Sequence, residues 1–143
     1  MNTNCPCGGT DHGASPWAVR MAAAAHENTA FRSAVWTGSF LQLTLMHIPP
    51  CGEIGLECHP ETDQFVRVEE GCALVCMGQC RDQLDFRCRL TAGDAVLIPK
   101  GYWHNICNAS DRAPLKVSSL YGPPKHPKGT RHCTQEDAVH TEH

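Results

Sequence analysis

Gly93-DAVLI-Pro99-Lys-Gly101-YW-His104-NIC-Asn108 is the stretch that decides the fold. Ala92-Gly93-Asp94 is a turn signal, and Ala95-Val96-Leu97-Ile98 is a short apolar run of buried-strand character. Pro99 and Gly101 force a tight turn out of that strand. The turn sets His104 at the start of the next strand, where an imidazole can aim into the mouth of a barrel.

A second informative stretch lies upstream: Gly52-EIGL-Glu57-Cys-His59-PETD-Gln64-FVRVEE-Gly71. Glu57 and His59 are two apart on an expected strand, so a carboxylate and an imidazole share one face, with Cys58 on the other. Gln64 opens the following strand and joins them if the two strands pair. Two imidazoles, a carboxylate and an amide oxygen converging from separate strands suit zinc or another first-row divalent ion.

Working outward, the chain reads as many short strands with Gly/Pro turns. They are Phe40–Met46, Ile54–His59, Gln64–Glu69, Ala73–Met77, Leu84–Leu90, Ala95–Ile98, His104–Asn108 and Leu115–Tyr121. No long helical period interrupts them, which implies an all-β sandwich or barrel. Met21 to His26, with four consecutive alanines, predicts a short helix. Thr134 with Glu136 and Asp137 after it predicts a terminal one. Residues 1–16 read as a flexible arm, 17–125 as the barrel and 126–143 as a polar tail.

The later stretch resembles the second cupin motif, G-x5-P-x-G-x2-H-x3-N, at every defined position. The earlier one resembles the first, G-x5-H-x-H-x3-4-E-x6-G, with departures. His59 and Gly71 fit, Glu57 stands where the first His is usual, Gln64 where the Glu is, and Cys51 where the first Gly is. The resemblance implies a single double-stranded β-helix, or jelly-roll barrel, with one divalent metal (zinc, iron, manganese or nickel) on Glu57, His59, Gln64 and His104. The ligand types also resemble the zinc set of type I phosphomannose isomerases with Gln and Glu exchanged. The segments WTGSFLQLTLM and YGPPKHPKGT are similar to those of small bacterial cupins.

Each candidate has a plainer reading. His59 and His104 could be core histidines satisfied by hydrogen bonds, and Gln64 could orient a ligand or bind substrate. An inward carboxylate beside an inward histidine is costly without a cation or proton, which favours Glu57 as a ligand, and as the group that moves a proton. Gln42, Thr44 and Arg67 are candidate substrate-binding residues, although the strand face of Gln42 and Thr44 could be outward. His126, His132, His140 and His143 fall in the polar tail and are expected to be solvated.

The chain has 143 residues, 10 cysteines and a formal net charge of −3. No basic block marks a nucleic-acid partner, and no apolar run reaches the roughly 20 residues of a membrane helix. The N-terminus lacks a secretory pattern, so a cytoplasmic location and mostly reduced thiols are expected. A zinc site from Cys72, Cys76 and Cys80 is a minor alternative, and Cys5-Pro6-Cys7 reads as a tail without a specific role. No nucleophile elbow, phosphate loop or dinucleotide fingerprint is present, which removes serine-hydrolase, nucleotide and NAD chemistry. The functional expectation is a metal enzyme acting on a small polar, sugar- or carbonyl-like molecule by isomerase, lyase or dioxygenase chemistry. The alternative is a non-catalytic binding or sensing barrel. Exposed edge strands make a homodimer the expected assembly.

Overall fold

The structure, a computed structural model, describes residues 10–142. The readings for Cys5, Cys7 and His143 fall outside it, as does the side chain of His140. The elements run α1 (Met21–Glu27), β1 (Arg32–Thr37), β2 (Gln42–Ile48), β3 (Glu57–Cys58), β4 (Asp63–Glu70) and β5 (Cys72–Gly78). They continue with β6 (Phe86–Thr91), β7 (Ala95–Ile98), β8 (Trp103–Asn108), β9 (Leu115–Gly122), β10 (Arg131–His132) and α2 (Gln135–Glu142). Two antiparallel sheets face each other, ordered β10-β1-β2-β9-β4-β7 and β3-β8-β5-β6. This is the expected jelly roll.

Strand alternation fills the space between the sheets. Val68, Val117 and Met46 are cross-strand partners in one row, and Val66, Ser119 and Thr44 in the next. A third row is polar: Gln64, Tyr121 and Gln42. From the other sheet, Ala73, Val75, Met77, Leu90 and Ile106 pack into the same apolar core. Burying each large aliphatic side chain contributes about 1.5–3 kcal/mol, so the apolar rows hold the barrel closed while the polar row is left for other uses.

The turn signals behave as expected. Gly101 has φ +83°, and its N–H donates to the carbonyl of His59 at 2.8 Å, tying the two motif stretches together. Asn108 is buried, and its amide reaches the carbonyls of Ile48, Pro49 and Ala113. Cys51, in the motif's first Gly position, has φ 64°, the left-handed conformation that explains why Gly is usual there.

Several expectations need correction. The 54–59 strand shrinks to Glu57–Cys58, because Gly55 at φ +109° breaks the extended run. The first predicted strand starts late, leaving Phe40 84% exposed outside it. Strands β1 and β10 lie in segments read as mixed and polar; β1 carries a bulge between Ala34 and Trp36 that breaks its alternation. The described part of the arm is docked: Asp11 accepts hydrogen bonds from Thr37 Oγ1 (2.6 Å) and the N–H groups of Gly13 and Gly129. The tail is part of the fold, with His126 and His132 buried and β10 paired to β1.

Both predicted helices form. Helix α1 packs on β2, β4 and β9, and the ammonium of Lys116 donates to the carbonyls of His26 and Asn28 at its C-terminal end. Thr134 and Asp137 cap α2 reciprocally. No helix among the described residues is long and apolar enough to cross a membrane. Among the described residues seven cysteines are free thiols, as expected, whereas Cys133 is disulfide-bonded.

Candidate metal centre

Glu57 on β3 and His104 on β8 are direct cross-strand partners, so their side chains leave the sheet together. His59, two residues after Glu57, emerges on the same face. One donor atom from each of the three lies within 4.8 Å of the others, and among the described residues no other His, Cys, Asp or Glu group gathers this way. The triad Cys72, Cys76 and Cys80 does not. Cys72 and Cys76 instead lie on the outside of their sheet and accept from Arg89 and Arg87.

The spacing suits a shared ion. His59 Nε2 lies 3.4 Å and His104 Nε2 3.7 Å from Glu57 Oε1. Two donors each about 2.1 Å from an ion at a tetrahedral angle are about 3.4 Å apart. Both ring nitrogens of His59, Nε2 of His104 and Oε1 of Gln64 are buried without a hydrogen-bond partner. Buried polar atoms are normally satisfied, and the two unsatisfied Nε2 atoms beside Glu57 Oε1 mark the place of a missing partner. His104 is also oriented: Nδ1 lies 3.0 Å from the carbonyl of Tyr102, which can only accept. The proton therefore sits on Nδ1, and Nε2 offers its lone pair toward Glu57. These residues fit a divalent metal.

Burial alone would raise the pKa of Glu57, but the adjoining rings of His104 and His59 and the charge of Arg32 outweigh it and hold the carboxyl below its usual range. The group is thus an anion ready to ligate.

Gln64 enters from the facing sheet. Its Nε2 donates to Ser119 Oγ at 3.3 Å, which leaves Oε1 as the free end. Its register partner Tyr121 sets its ring against that of His59, with centroids 5.8 Å apart. Gln42 and Thr44 are buried and face inward, but neither lines the cavity that opens on Glu57 and His59. Gln42 accepts from the N–H groups of Lys125 and His126 and donates to the carbonyl of His126, so it clamps the C-terminal segment. Arg67 is corrected: it alternates with the inward Gln64, Val66 and Val68, so it points outward, where it pairs with Glu69 at 2.6 Å.

Four residues escaped the sequence reading. Arg32 is 2% exposed; its Nη2 lies 3.8 Å from Glu57 Oε2 and its Nη1 3.4 Å from His132 Nδ1. An arginine N–H only donates, so His132 accepts through Nδ1. His132 faces His126, His126 faces Tyr121, and Tyr121 faces His59, which closes a ring of buried side chains behind the triad. Only Tyr121 carried a signal, as the aromatic member of the alternation Val117, Ser119, Tyr121.

A sequence model of the cupin-domain family matches residues 44–121. This chain is a cupin. It is 44% identical over 132 residues to the "uncharacterized protein YrkC" of Bacillus subtilis strain 168, covering 92% of this chain and 70% of that protein. It is 37% identical over 103 residues to the "uncharacterized protein L612" of Acanthamoeba polyphaga mimivirus, covering 72% of this chain and 62% of that protein. Among solved structures, BH2720 from Bacillus halodurans superposes with a TM-score of 0.90 at 49% identity, over 92% of this chain and 98% of that one. KdgF from Halomonas, 21% identical with a TM-score of 0.56 over 66% of this cupin and 80% of that chain, shares the fold.

Proposed function

We propose that this cupin is a metal-dependent enzyme that acts on a small polar molecule carrying a carbonyl or hydroxyl, by isomerase, lyase or dioxygenase chemistry. The observation that carries the reading is the pair of buried, unsatisfied Nε2 atoms of His59 and His104 beside the Glu57 carboxylate. Glu57 Oε1, His59 and His104 Nε2 would hold the ion, with Gln64 Oε1 as the fourth donor. A divalent ion there supplies Lewis acidity toward a carbonyl or hydroxyl oxygen and lowers the pKa of bound water.

The protein's own residues do the rest. Tyr102 fixes the tautomer of His104 through its carbonyl, and the charge of Arg32 lies 3.8 Å from the outer oxygen of Glu57, while the inner oxygen faces the two rings. Glu57 Oε1 faces both His59 and His104, which favours its ligand role over the expected proton-transfer role. A cavity of about 490 Å³ leads from solvent to Glu57 and His59, a size that suits a small ligand. Trp103, Phe31 and Ile54 give it apolar wall.

The test is elemental analysis of protein purified without a metal-affinity tag, beside His104→Ala. We expect about one divalent ion per chain, lost in the variant while the fold is retained. Unchanged metal content in His104→Ala sinks the site.

A further inference from the structure

The cavity that reaches the triad has a one-sided charge. Among the described residues on its wall, Arg32, Arg81 and Lys125 are cations, and Glu57, itself a ligand, is the carboxylate. Of the acids flanking the wall residues in sequence, Glu53 accepts from Asn105, Asp137 caps α2 through Thr134, and Glu136 is exposed and is not among the wall residues. The cations are graded by depth. Arg32 is buried beside Glu57, while Arg81 and Lys125 are exposed at the rim, Arg81 lying over the ring of Trp103 at 5.3 Å.

We propose that this cavity binds a small carboxylate-bearing molecule, with its carboxylate drawn toward the ion and Arg32 and the rim cations Arg81 and Lys125 steering it in. This rests on the metal reading above and narrows its substrate class. A cleft lined by one sign of charge within low-dielectric walls focuses field on its floor and raises the local concentration of opposite charge. The buried charge of Arg32 beside Glu57 adds to that field at the floor. Phosphate is the poorer candidate. The helix N-terminus on this wall begins at Gln135, and its backbone donors at Thr134 and Asp137 are already taken by the reciprocal cap. The Gln135 amide itself donates to the carbonyl of Ile54.

The test titrates the full chain, cobalt-loaded and metal-free, with succinate, succinamide and inorganic phosphate by calorimetry, with cobalt content measured on the same samples. Succinamide matches the shape of succinate without its charge. We expect succinate to bind at least about tenfold more tightly than succinamide. Arg81→Ala with Lys125→Ala, both at exposed positions, should weaken succinate about fivefold and leave succinamide unchanged. In cobalt-loaded protein, succinate binding should also shift the visible cobalt spectrum. Equal binding of succinate and succinamide, or an unaltered succinate affinity in the double variant, overturns the proposal; tighter binding of phosphate overturns the carboxylate assignment. Failure to take up cobalt overturns the metal reading alone, because the charge preference and its dependence on Arg81 and Lys125 are read in the metal-free chain as well.

Discussion

Replacing Asn108 by alanine tests whether the end of the second motif serves the fold or the chemistry. Its Nδ2 reaches the carbonyls of Ile48 and Pro49 at 3.1 Å each and of Ala113 at 2.9 Å, and its Oδ1 accepts from the N–H of Ser110 at 2.9 Å. An amide carries two N–H bonds, so the three carbonyls share two donors and the side chain makes about three full hydrogen bonds. Each is worth about 1 kcal/mol net, and stranding buried partners adds to the loss, so Asn108→Ala should cost about 3–4 kcal/mol. Against a typical stability of about 5–15 kcal/mol, that is a large fraction. Urea unfolding followed by tryptophan fluorescence should show a lower midpoint with an unchanged slope. The folded variant should keep full metal content, because Asn108 lies at the opposite end of β8 from His104. A cost under about 1 kcal/mol, or metal loss at unchanged stability, refutes the reasoning.

Three further outcomes follow from named contacts. Cys51→Gly removes a side chain from a left-handed residue and should stabilise by about 0.5–1 kcal/mol in the same urea assay; a lower midpoint contradicts the strain argument. Asp11→Ala should cost about 1–2 kcal/mol near neutral pH, by freeing Thr37 and the Gly129 turn. Burial raises the pKa of Asp11 but its hydrogen bonds lower it further, so the folded value lies below the ordinary 3.8. Its contribution is therefore full above that range and fades as pH falls through the lowered value, so the stability gap between wild type and Asp11→Ala should close on acidification. A gap that widens on acidification contradicts the sign. For assembly, we propose that the edge strands β6 and β7, which expose Phe86 and Leu97, the latter 71% accessible, pair two copies of the chain; a monomer mass by light scattering at micromolar concentration refutes it.

The barrel and the triad were legible because they rest on local rules. Alternation in 115–121 and 73–77, the Gly93 and Gly101 turns, and the two-residue spacing of Glu57 and His59 act over a few residues, and backbone geometry alone turns them into strands, corners and shared faces. Only the tertiary structure decided the rest. Arg67 and Gln64 are three apart on one strand, and which of them faces inward depended on the pairing register with β9, not on either residue's chemistry. Arg32, His126 and His132 sit in segments with no apolar period. They are buried because β10 closes on β1 and Gln42 clamps the returning chain, contacts between residues about a hundred positions apart. A side chain's type and spacing state what it can bind; the company it keeps across such distances is set by the packing of the whole chain.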